Sequence, residues 1–116
     1  MKYDVERKHP RVRVALQGEL RAYSDVYPRR AETTDLSLGG CYFAMPHTLE
    51  PKTRTEVVLW LDGMKLTAKA EVVTNHPQVG NGVKFLNMGE EDRKKLEAFI
   101  ASVMSGANTL YKIARA

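Results

Sequence analysis

The chain has 116 residues, enough for one domain with a single modest core, and its 43% hydrophobic and 28% charged content is that of an ordinary folded protein. No stretch approaches the roughly 20 apolar residues of a membrane span, and "MKYDVERKHP" has no apolar run of the signal-peptide kind, so a cytoplasmic location is expected. The net charge of +4 sits in residues 1–30, where Lys2, Arg7, Lys8, Arg11, Arg13, Arg21, Arg29 and Arg30 face only Asp4, Glu6, Glu19 and Asp25, which reads equally as a surface for an anionic partner or as a solvated basic arm.

Within that quarter, "RKHPRVR" gathers Arg7, Lys8, Arg11 and Arg13 with no acid among them. From Val12 the apolar residues then alternate (Val12, Val14, Leu16, Gly18, Leu20, Ala22), which predicts a strand with one buried face. "SDVYPRR" turns, Pro28 staying out of any central strand, and Ala31 to Thr34 resumes an extended pattern. "SLGG" breaks it before the short strand "CYFAM", and "PHTLEPKT" is a loop between prolines.

"TEVVLWLDGMKLTAKAEVVTN" is a hairpin. Val57, Leu59 and Leu61 alternate, Asp62-Gly63 is the dipeptide of a two-residue primed turn, and Leu66, Ala68, Ala70 and Val72 alternate back. "HPQVGNG" reads as a turn and "VKF", with Val83 and Phe85 on one face, as a last strand. The period then changes: Leu96, Phe99, Ile100, Val103 and Met104 make one stripe of a helix from about Glu90 to Met104, with Asn87 and Glu90 resembling a capping box. Residues 105–116 read equally as a short second helix or a tail. The fold class is therefore mainly β: a small six-stranded antiparallel β-barrel closed over by a C-terminal helix.

Catalytic signatures are missing. His9, His47 and His76 are far apart and lack a second ligand at metal spacing, and neither a GxxxxGK[ST] loop nor a GxSxG elbow occurs. The lone Cys41 excludes an internal disulfide and reads as a small buried apolar side chain. An enzyme, a resident cofactor and a metal site are not expected.

Two short patterns remain: Arg7-x-x-x-Arg11, and Asp35-x-Ser37-x-x-Gly40 within "DLSLGG". Alone, the second is also an ordinary turn in which Asp35 and Ser37 cap backbone groups and Gly40 takes positive φ. In this order, at the lip of one strand and at a strand-to-strand turn of a small barrel, they make the chain resemble a PilZ domain, the bacterial receptor module for cyclic di-GMP. "GNGVKFLNMGEEDRKKLEAFI" is similar to the family's last strand and covering helix, and the resemblance runs from about Glu6 to Met104.

The resemblance implies a division of labour. Residues 1–11 would be a flexible basic arm and residues 12–104 the barrel and helix. Arg7 and Arg11 would pair with phosphate oxygens and present their forks and planes to guanine, with Lys8 standing where many members carry a further arginine. Asp35 would accept from a guanine N1–H and N2–H₂ edge, and Ser37 would donate a hydroxyl. Gly39 and Gly40 would leave no Cβ in the way of the ligand. The chain would then be a non-catalytic receptor that changes shape on binding and signals to an effector protein in trans. One alternative is an adaptor of the same fold that no longer binds the nucleotide. Another is a basic barrel for single-stranded nucleic acid, which the scatter of Tyr23, Tyr27, Tyr42, Phe43 and Trp60 disfavours.

Overall fold

The computed structural model describes residues 9–106. Its strands are β1 (Gln17–Ala22), β2 (Arg29–Leu36), β3 (Gly40–Ala44), β4 (Arg54–Leu61), β5 (Met64–His76) and β6 (Gly80–Asn87), followed by the helix α1 (Glu90–Met104). All neighbours pair antiparallel in the order β1-β2-β3-β6-β5-β4, and β1 closes the barrel by pairing with both β2 and β4. Inward positions follow the period of two: Leu20, Phe43, Val57, Leu59, Leu66, Ala70 and Val72 are all but inaccessible to solvent. The β4–β5 hairpin turns at Asp62-Gly63, both at positive φ (52° and 82°), the geometry of a type I′ turn.

The helix lands where its periodicity puts it. Leu96, Phe99, Ile100 and Val103 are buried in the common core against β4 and β5, while Met104, on the edge of the stripe, is half exposed. The expected capping box does not form. β6 runs on to Asn87, which pairs with Lys69, so Gly89 becomes the N-cap and makes no side-chain bond. An acid of the first turn acts elsewhere: the Asp92 carboxylate accepts from the Thr67 N–H (3.2 Å) and faces its hydroxyl (3.4 Å), pinning the helix start to β5. Bonds from the Ser105 and Gly106 N–H groups to Ala101 and Val103 carbonyls end the helix. The rest of the 105–116 segment lies outside the described residues.

Two strand boundaries differ from the sequence reading. "GNG" belongs to β6 rather than to the turn, because Asn81 is buried and its amide staples the β3–β4 loop to the barrel: Oδ1 accepts from Leu49 N–H (2.8 Å), and Nδ2 donates to the carbonyls of Leu49 (2.9 Å) and Thr74 (3.0 Å). The first regular strand starts at Gln17, not Val12. The alternation of buried residues does continue upstream, but Val12 only bridges to Leu36, and between them the Thr33 hydroxyl takes the ladder's place. It accepts from Leu16 N–H (2.9 Å) and donates to the Val14 carbonyl (2.7 Å).

Candidate functional site

Strict alternation along β2 would send Asp35 to the same side as the buried Thr33. A bulge prevents this. Thr33 pairs with Phe43 but Asp35 pairs with Tyr42, so the ladder slips by one residue; Thr34 and Asp35 both face out and Leu36 returns to the core. The slip exposes a carboxylate on the barrel's outer wall. The lead-in lies alongside, held by reciprocal bonds between Val12 and Leu36 (both 2.9 Å), and it brings the Arg11 guanidinium to 3.8 Å from Asp35 Oδ1. The two sequence motifs therefore meet, through Arg11, at one rim. Arg7 and Lys8 lie outside the described residues.

The turn after Asp35 is tight. Ser37 N–H donates to the Gly40 carbonyl (2.8 Å), and the Ser37 hydroxyl accepts from Gly39 N–H (3.1 Å). Ser37 thus shapes the hairpin as well as bordering the cleft beside it, and its oxygen keeps a second lone pair. Gly40 owes nothing to positive φ, which among the described glycines occurs only at Gly63 and Gly106. Its Cβ would sit 2.1 Å from the Val83 carbonyl oxygen, so β6 passes too close for any side chain. Gly39 is less constrained: a Cβ there would meet the His9 imidazole at 3.3 Å and the Ser37 hydroxyl at 3.8 Å.

A second bulge shapes the facing wall. Along β5, Val72 pairs with Val83 but Thr74 pairs with Gly82, which leaves Val73 out of step and turns Thr74 and His76 outward. Between the two bulged strands lies a cleft of about 520 Å³ bordered by Arg11, Ser37, Gly39, Tyr42, His76 and Lys84. That size falls in the roughly 300–1,000 Å³ range of small-molecule sites. Tyr42, Thr74, His76 and Lys84 were not legible as site residues. Tyr42 alone had a sequence signal, since it stands two residues after Gly40 on the same face of β3.

Electrostatics favour binding over catalysis. Burial, reinforced by the Asp35 charge, pushes the Cys41 thiol far above its usual range, so it stays protonated and inert, as its reading as an apolar side chain requires. Burial and then Asp35 likewise raise Tyr42, which remains a neutral phenol. The Tyr42 hydroxyl and His76 Nδ1 are hydrogen-bonded at 2.9 Å. Among the described residues no cluster of three metal-ligating side chains occurs and no helix is long and apolar enough to cross a membrane. Among the described residues, Tyr23, Tyr27 and Phe43 share no platform: Phe43 is buried in the barrel, whereas Tyr23 and Tyr27 are exposed on the β1–β2 connection.

A closed six-stranded antiparallel barrel capped by one helix, with an arginine lead-in folded against an Asp-x-Ser-x-x-Gly hairpin, describes a ligand-binding module of a single architecture. The PilZ domain family matches residues 6–102, and the chain belongs to it. The family comprises receptor and adaptor modules, not enzymes. Solved structures agree in fold. The Bacillus subtilis inhibitor of motility MotI/DgrA superposes with a TM-score of 0.72 at 13% identity over 89% of this chain and 54% of its own. Escherichia coli YcgR, solved in complex with c-di-GMP, gives 0.72 at 17% identity over 88% and 47%. The PilZ domain of CeSA from a cellulose-synthesizing bacterium gives 0.60 at 19% over 85% and 99%. The chain thus spans about half the length of the MotI and YcgR chains. No curated protein matches the sequence.

Proposed function

We propose that the protein is a cytoplasmic cyclic di-GMP receptor whose site joins Arg7, Lys8 and Arg11 of the lead-in to Asp35, Ser37, Gly39 and Gly40 of the β2–β3 hairpin. The observation that carries this reading is the approach of Asp35 to Arg11, which itself borders the cleft. Their side chains are 46% and 24% exposed at 3.8 Å separation, so the pair contributes only about 0–1 kcal/mol and is easily parted. A dinucleotide satisfies both partners better. Its phosphodiesters take the guanidinium, and a guanine Watson–Crick edge offers two N–H donors to the carboxylate. Family membership and the complex formed by YcgR support the choice of ligand.

Ligand exchange at the Arg11–Asp35 pair also supplies a switch. Parting it frees the lead-in to close over bound phosphate, and residues 1–11 become the surface that an effector reads in trans. The test is calorimetric titration of cyclic di-GMP into wild type, Arg7→Ala, Arg11→Ala and Asp35→Ala. Each substitution removes a charge-assisted contact of about 1.5–3 kcal/mol and weakens binding roughly ten- to a hundredfold. A wild type that binds no cyclic di-GMP would leave the adaptor reading in its place. Equal amide protection of residues 1–11 with and without ligand would remove the switch while leaving the site.

A further inference from the structure

The floor of the cleft has a construction that neither motif explains. Gly80 and Gly82 stand two apart on β6; Gly80 leaves room for the Phe43 carbonyl and the Tyr42 ring, Gly82 for the Thr74 hydroxyl, and the ring reaches over both. A Cβ at Gly80 would come 2.5 Å from Tyr42 Cε1 and 2.9 Å from Cζ; one at Gly82 would come 3.6 Å from Cδ2. The ring is therefore packed close over the main chain at Gly80, with ordinary contact at Gly82. Its hydroxyl is fixed by His76 Nδ1 at 2.9 Å, and the His76 ring continues the surface at a centroid distance of 5.8 Å and a tilt of 35°. Both rings border the cleft. Tyr42 is also the cross-strand partner of Asp35, so the ring adjoins the carboxylate.

A flat, immobilised π-face beside a carboxylate suits one chemical class: a planar heterocycle whose edge donates hydrogen bonds while its face stacks. We infer that Tyr42, held by His76 and seated on Gly80 and Gly82, is the stacking floor for one purine base of the ligand. This rests on the proposed cyclic di-GMP site and adds to it a base-binding surface outside both motifs. Arg11 and Asp35 address charge and edge, and Tyr42 addresses the face. Covering the two glycines also supports the sheet. The experiment must therefore read the base and not only stability.

The protein with cyclic di-GMP bound gives that reading by NMR. Nuclear Overhauser contacts between the Tyr42 ring protons and a guanine H8, with that H8 shifted upfield by the ring current, are expected in wild type. Tyr42→Leu removes the ring and weakens binding roughly ten- to a hundredfold with loss of the upfield shift. Tyr42→Phe keeps the ring, loses only the bond to His76, and binds within about threefold of wild type. Wild type that binds without Tyr42–guanine contacts would overturn the inference and spare the receptor reading; wild type that does not bind would overturn both. Should Tyr42→Leu fail to fold, the contacts in wild type and the behaviour of Tyr42→Phe decide the question alone.

Discussion

The two elements that meet at the rim of the cleft are held in place very differently. On the hairpin side, Ser37, Gly39 and Gly40 are fixed by turn bonds within the β2–β3 connection and by a backbone contact with β6 that admits no side chain. The lead-in is attached by the Val12–Leu36 bridge, the backbone bonds from Val14 to Thr34 and from Thr33 to Leu16, the hydroxyl of Thr33 and the burial of Val12, Val14 and Leu16. One wall is a turn of the barrel and the other is laid onto it through a broken ladder and buried side chains. In the receptor proposed above, the arginines would belong to the laid-on wall and the Asp-Ser-Gly turn to the fixed one.

The contrast can be broken at its fixed end first. Gly40→Ala should cost about 3 kcal/mol, seen as a lower urea midpoint, since the added methyl meets β6 main chain that has nowhere to go. Gly39→Ala, crowded by nothing but a movable imidazole and in ordinary contact with the Ser37 hydroxyl, should stay within about 0.5 kcal/mol of wild type. Next comes the laid-on wall. Thr33→Val deprives Leu16 N–H and the Val14 carbonyl of their partner, should cost about 2 kcal/mol, and should weaken nucleotide binding in titration although Thr33 borders no part of the cleft. Arg11→Ala should change the unfolding free energy by less than about 1 kcal/mol while its effect on ligand affinity is large. The smallest effect expected is none: Cys41 should resist alkylation at pH 8 in the native protein and label fully in urea, because burial keeps its thiol protonated.

How much of this the sequence disclosed follows the same division. Burial on one face writes a period of two into a strand and a period of 3.6 into a helix. Leu20, Val57 and Leu59, and the stripe from Leu96 to Val103, could therefore be placed from spacing, and so could the Asp62-Gly63 turn. The site depends on departures from those periods. Asp35 reaches the surface because β2 slips a residue after Thr33, and Thr74 and His76 do so because β5 slips after Val72. A slip leaves no repeating mark in one sequence. The motifs themselves named Arg11, Asp35 and Ser37, but Tyr42 and Lys84 became site residues only once β3 was set beside β6. "GNG" misled for a related reason: two glycines looked like a turn when one was making room for the Phe43 carbonyl and the Tyr42 ring and the other for the Thr74 hydroxyl.

Closing the barrel has a consequence for how an output could be recruited. Since β1 pairs on both flanks, each of the six strands has a neighbour on either side and the sheet has no edge strand onto which a foreign strand could zip along its length. Any partner of the barrel would therefore have to grip side chains or loops instead. Recognition of that kind is decided by which groups the surface displays, and in the receptor proposed above those are what the bound messenger would rearrange.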